Sequence, residues 1–223
     1  MKKILLILSA VIAVCLLMPF GYEGVRGMLL KSGLSWAFSE WSFYGLLLLC
    51  GGLIGWSLTH VFQFSASWKR ITLGAVVAAV PFVIGFAQHP IYEDMIWDLS
   101  EDVSAMQTMP DYNAADLVVI AIADCPYCQR AVNDMNALHQ RKPNLRMRMV
   151  VCTADSTWLE PYQAEAAGAY EVVMATNMDV MATHAGGHFP AYVLVRDGKP
   201  LRRWTNNEWG PVAKDVVETV VDR

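Results

Sequence analysis

Charge is scarce in this sequence. Asp, Glu, Lys and Arg make up 17% of its 223 residues, against a hydrophobic content of 55%. An ordinary soluble domain has about a quarter of its residues charged, so part of the chain is expected to lie in lipid. No basic stripe is present, and the formal net charge is −4. That leaves nothing to meet a row of phosphates, so nucleic acid is not an expected partner. Five cysteines are too few for a disulfide scaffold. Repeats and low-complexity tracts are absent. Two shortages are positional. Residues 1 to 90 contain only two acids, Glu23 and Glu40, and no Lys or Arg lies between Arg70 and Arg130.

The charge-poor first part has three segments near the twenty apolar residues that a spanning helix needs: Ile4 to Phe20, Phe43 to Val61 and Ile71 to Ala87. Residues 1–90 therefore read as an all-α transmembrane anchor of three helices. Pro81 inside the third is tolerated in lipid, where neighbouring groups re-satisfy the backbone. A cleaved signal peptide is the other reading of the first segment. Met18-Pro19-Phe20-Gly21-Tyr22 offers no small-x-small cleavage site, which favours an uncleaved anchor. Lys2 and Lys3, then Lys69 and Arg70, place the N-terminus and the second loop in the cytoplasm. Arg26 and Lys31 oppose this, beside Glu23 and Glu40. The basic-free stretch from Ile71 to Gln129 contains Glu93, Asp94, Asp98, Glu101, Asp102, Asp111, Asp116 and Asp124. It should cross easily, leaving the rest of the chain outside a bacterial inner membrane. Trp36, Trp41, Trp68 and Trp97 suit an interfacial belt. Gly51 and Gly55 suit close helix approach.

Residues 91–111 read as a linker. Ile91, Met95, Ile96, Leu99, Val103 and Met106 fall at near-helical spacing, which predicts an amphipathic helix ended by Pro110. Beyond it, Leu117 to Ala123 is a continuous apolar run of the kind that forms a buried strand. Asp124, Cys125 and Pro126 follow, and Pro126 suits the first turn of a helix continuing through Gln129 to Gln140. The pattern then predicts a strand over Leu145 to Cys152, helices over Thr157 to Ala167 and Val172 to Thr183, and a strand over Ala191 to Val195. An Asp197-Gly198 turn, a strand over Leu201 to Thr205 and a closing helix over Val212 to Val221 complete it.

Residues 112–223 resemble the thioredoxin superfamily. The resemblance rests on Cys125-Pro126-Tyr127-Cys128 after an apolar strand, and on Phe189-Pro190 opening the strand before Arg196-Asp197-Gly198-Lys199. The Cys-Pro-Tyr-Cys sequence is similar to that of glutaredoxins and some Dsb-like enzymes. The resemblance implies an α/β domain, a central mixed sheet flanked by helices. It also implies a cis Pro190 facing the dithiol. The chain departs from thioredoxins in having Val119 where they carry a buried acid, Asp124 where they carry tryptophan, and a bulky Phe189 before the proline.

Disulfide exchange needs a thiolate, and a helix N-terminus favours an anion. Cys125 is placed there and Cys128 lies one turn further in. Cys125 is thus the expected attacking residue and Cys128 the resolving one. Pro126 stiffens the turn, Tyr127 tunes access, and Phe189 and Pro190 border the client. No cofactor is expected beyond the redox-active Cys125–Cys128 disulfide. The expected partners are exported cysteine-containing proteins, a redox partner protein and membrane lipid. An inert disulfide or half a zinc site would use the same pair. A copper-handling module would add Met174, Met178, Met181 and His188, whose sulfur and imidazole are soft ligands. A non-catalytic assembly factor would use the domain only to bind. Cys152 reads as a buried packing residue. Cys15 and Cys50 fall at similar depth in two spans and read as packing residues rather than as a dithiol. His184 and His188 read as loop residues near the proline, and Arg202-Arg203 as a solvated strand edge.

Overall fold

The computed structural model describes residues 21–61 and 67–221. The segment Ile4 to Phe20, with Cys15, lies outside them. The chain divides into two compact units, which meet in sequence at Tyr92 and Glu93.

In the first unit, helix α1 runs over residues 21–31, α2 over Trp36–Val61 and α3 over Ser67–Gln88. Both α2 and α3 are long and apolar enough to cross a membrane. They lie backbone to backbone. A Cβ on Gly51 would come within 2.6 Å of the Ala78 carbonyl oxygen, and one on Gly55 within 2.7 Å of that of Gly74. The glycine pair thus serves contact inside this hairpin. Pro81 sits inside α3. At the start of α2, Glu40 is buried, which is costly for a charge without partners. Arg26 supplies an ion pair, its Nε 2.5 Å from the carboxylate, and the Tyr22 hydroxyl donates a hydrogen bond. Tyr22 stacks on His89 at 4.2 Å.

The second unit is built on one six-stranded sheet. Its strands are β1 (Glu101–Asp102), β2 (Leu117–Ile122), β3 (Met147–Cys152), β4 (Glu171–Met174), β5 (Ala191–Arg196) and β6 (Lys199–Thr205), in the spatial order β1-β6-β5-β2-β3-β4. β2, β3 and β4 are parallel, so they need crossovers; helices α4 (Pro126–Arg141) and α5 (Leu159–Ala166) supply them. β5 and β6 are antiparallel and form a hairpin. Its turn residues Asp197 and Gly198 have φ of 52° and 74°, the left-handed pair that a two-residue hairpin demands. β2 is central and buried, which is why its apolar run does not alternate. On α4 the buried residues Cys128, Ala131, Val132, Met135 and Leu138 make one stripe at helical spacing. Helices α6 (Met178–His184) and α7 (Pro211–Val221) complete the flanks. This mixed sheet with flanking helices fits a thioredoxin-like fold.

Two predicted elements differ. Ile91 to Met106 is not one helix: it holds a 3-10 turn at Glu93–Met95 and then β1. Side chains along it are captured singly by the sheet edge. Met95 and Val103 are buried, and Asp98 accepts from Arg202 (2.5 Å) and from the Trp204 indole (2.9 Å). Val172 to Thr183 is likewise not one helix. Glu171–Met174 pairs in parallel with Arg148–Val151, and α6 starts anew at an Asn177 cap whose side chain accepts from the Val180 amide.

Candidate dithiol site

The parallel strands β2, β3 and β4 end at Ile122, Cys152 and Met174 on one edge of the sheet. Past Ile122 the chain turns sharply. Asp124 has φ of 52°, a left-handed conformation that Asp tolerates better than most residues. Cys125 then takes extended dihedrals as the N-cap of α4, with Pro126 in the first turn. The Cys128 amide donates to Cys125 Sγ at 3.1 Å. That sulfur therefore receives one of the otherwise orphaned N–H groups of the helix start. The two cysteines are joined as a disulfide, with 5.2 Å between their Cα atoms.

The two sulfurs are not equivalent. Cys125 is 8% exposed and Cys128 fully buried, so of the two sulfur-bearing residues only Cys125 has surface open to a reactant. Tyr127 projects outward at 53% exposure, with the Arg130 guanidinium 4.5 Å over its ring. The Phe189–Pro190 peptide is cis, the isomer that the resemblance implies. Phe189 is half-buried and Pro190 buried. Tyr127, Gly187, His188, Phe189, Thr205, Asn206 and Asn207 line a cleft of about 370 Å³, which brings the dithiol turn and the Phe189 loop together. Among the described residues, no carboxylate, Lys or Arg lines it.

Several contributors escape sequence reasoning. The Tyr162 hydroxyl on α5 donates to the Ile122 carbonyl at 2.8 Å and so pins the last residue of β2. His184 is buried rather than solvated, its Nδ1 2.7 Å from the Tyr112 hydroxyl and its ring stacked on that of Tyr112. Burial, and then the Arg203 guanidinium, hold it below the usual imidazole range. Arg203 is not a solvated edge residue: its side chain is 12% exposed and pairs with Glu101. Nothing local in the sequence signals this, because Glu101 lies about a hundred residues from Arg203. Cys152 is half-buried, and burial, with Asp111 second, pushes its thiol up to about 11. The three methionines of the copper reading do not share one element. Met174 ends β4, while Met178 and Met181 lie on α6 with Met181 in the core. Among the described residues, no group of three or more His, Cys, Asp or Glu side chains converges as a metal site would require.

No family model and no curated protein matches the chain. Two solved structures resemble it. One is a secreted Mycobacterium tuberculosis disulfide oxidoreductase homologous to E. coli DsbE, at 16% identity and a TM-score of 0.36, covering 48% of this chain and 78% of the other. The second is a thioredoxin-like protein from Bacteroides caccae, at 10% identity and a TM-score of 0.34, covering 82% and 83%.

Proposed function

We propose that this chain is a membrane-anchored thiol–disulfide oxidoreductase, acting on cysteines of exported proteins from the extracytoplasmic face of a bacterial inner membrane. The observation that carries the reading is the Cys125–Cys128 bridge across the first turn of α4, with Cys125 Sγ accepting a helix-start amide. A client thiolate attacks Cys125 Sγ, a client–Cys125 disulfide forms, and Cys128 leaves as a thiolate. A second client thiolate then attacks the client's own sulfur and releases Cys125. The client gains a disulfide, and the protein gains two electrons and two protons. In reverse, a reduced Cys125 attacks a client disulfide and Cys128 resolves the mixed intermediate. A redox partner protein resets the dithiol, and no further cofactor is needed. Pro126 and Tyr127 shape the approach to Cys125. Phe189 and Pro190 border the client across the cleft, and Pro190 has no N–H with which to occupy a neighbouring strand edge.

The α2–α3 hairpin, surrounded by membrane lipid, supports the anchor. The run without Lys or Arg from Ile71 to Gln129 supports a cytoplasmic N-terminus and an external domain. Two experiments test the reading. Cys128→Ser should accumulate client mixed disulfides on non-reducing gels and Cys125→Ser should not, because only Cys125 is reachable; equal trapping would refute the roles. A reporter active only in the cytoplasm, fused after Arg223, should stay silent; activity would overturn the topology.

A further inference from the structure

We propose that Arg203 is a positioning residue for the client-binding loop, held in place by the strap of residues 101–112. This inference rests on the redox reading above. The strap begins at β1, where Glu101 lies opposite Arg203 and Asp102 opposite Arg202, and the Val103 amide donates to the Leu201 carbonyl at 3.1 Å. Arg203 Nη2 donates to the Glu101 carboxylate. Nη1 of the same guanidinium donates to the His184 carbonyl at 2.9 Å. The plane of the group lies against Gly186, where a Cβ would come within 2.5 Å of Nη1. One guanidinium thus joins the strap to the exit of α6.

The far end of the strap grips the same element twice more. Asp111 Oδ1 accepts from the Thr176 amide and hydroxyl, both at 3.1 Å, just before α6. The Tyr112 hydroxyl bonds His184 Nδ1 at its last residue. Beyond His184 the chain runs through Gly186 and Gly187, with φ of 66° and 73°, to His188 and Phe189, which line the cleft opposite Tyr127. The Gly186, Gly187 and His188 amides donate to the Thr183, Ala182 and Ala185 carbonyls, so the segment is a tight turn fixed to the end of α6 and moves with that end. Its course therefore follows the end of α6, where Arg203 bonds the His184 carbonyl and packs against Gly186. A lysine cannot replace it, because a single ammonium does not present two donors in a fixed fork to acceptors on opposite sides. Arg203 lines no part of the cleft, so it acts through Phe189 and His188 rather than on the client.

The test uses the full chain in detergent micelles, with a disulfide-linked peptide as substrate and excess dithiothreitol to regenerate the dithiol, its direct reduction of the peptide being subtracted; in a separate assay without dithiothreitol, iodoacetamide is the small alkylating probe of reduced Cys125. Arg203→Lys should raise KM for the peptide about tenfold, less than the roughly hundredfold that a 1 Å misplacement can cost, with kcat nearly constant. Glu101→Gln, an exposed change, should move KM in the same direction by less. The pH profile of Cys125 alkylation should match wild type in both, since the small probe does not use the loop. Unchanged KM in both variants would overturn the positioning role. So would parallel changes in KM and alkylation, which would make Arg203 a general stabiliser. A wild-type protein that neither reduces a peptide disulfide nor, when oxidised, forms one in a dithiol peptide would instead remove the redox reading itself.

Discussion

Tyr112→Phe removes one hydroxyl from the centre of the second unit and leaves the ring. Tyr112 is fully buried and His184 is 5% exposed. Their hydroxyl–Nδ1 distance is 2.7 Å, and the ring centroids lie 5.7 Å apart at 10°. The stack therefore survives the substitution, and the loss falls on one buried nitrogen that water does not reach. Leaving such a group unsatisfied costs about 1–3 kcal/mol. For a unit spanning Glu93–Arg223, each kcal/mol lowers the melting temperature by roughly 3–5 °C, so a fall of roughly 3–15 °C is expected. The assay is near-ultraviolet circular dichroism of the full chain in micelles during heating and urea titration. A double-mutant cycle with His184→Leu separates the bond from the packing, and a coupling of about 1 kcal/mol is expected for groups in direct contact. The burial of His184, with the Arg203 guanidinium second, also sets a pH dependence. Because His184 is held below its ordinary value in the folded state, the unfolded chain binds that proton first as pH falls. The contribution is full above about 6.5, the ordinary imidazole value, and is lost as pH drops from there toward the lowered value. His184→Leu should flatten that part of the curve. A Tyr112→Phe loss below about 0.5 kcal/mol, or no coupling in the cycle, would refute the reasoning.

Cys152, with its thiol pushed up to about 11, should resist iodoacetamide in the folded protein at neutral pH and react once the chain is unfolded; labelling at the rate of a free thiol would contradict its burial. Gly51→Leu should force α2 and α3 apart, since a Cβ there meets the Ala78 carbonyl oxygen at 2.6 Å, at a cost of about 1–3 kcal/mol. Gly52→Leu, where nothing lies within 4 Å, should not. Heat aggregation of the solubilised full chain distinguishes them, and equal behaviour would refute the close contact.

The dithiol turn was legible because each signal there is local. A buried central strand shows as an unbroken apolar run, and Pro126 marks the helix start without reference to any distant partner. The Asp197-Gly198 turn is equally local, since it rests on dihedrals those residues favour. The strap was not legible, because its conformation is decided by partners about a hundred residues away: Arg202, Arg203 and Trp204 draw out Asp98 and Glu101. Spacing at Ile91, Met95, Leu99 and Met106 suggested a helix, yet few of those side chains share one packing surface. β4 was hidden for a related reason. Four residues are too short to show alternation, and Val172 and Val173 run on into the apolar positions of α6. Thr176-Asn177, a cap signal, was the break to notice. Tyr162 and Arg203 act through hydrogen bonds to backbone carbonyls, which leave no mark on residue spacing.

The two rims of the sheet have a consequence for how copies of this domain can share a surface. A strand at a rim offers unpaired amides and carbonyls to any neighbour, and long flat rims recruit one another into aggregates. Here one rim is β1, two residues long and both acidic, and the other is β4, four residues long and starting at Glu171, which Arg148 grips at 2.7 Å. A domain tethered to a bilayer, as proposed above, diffuses in two dimensions and meets its own kind far more often than a dissolved one would. Rims this short leave an incoming strand few ladder bonds to make. The strap that braces the Phe189 loop thereby also blunts the flank that crowding would otherwise turn into a seed.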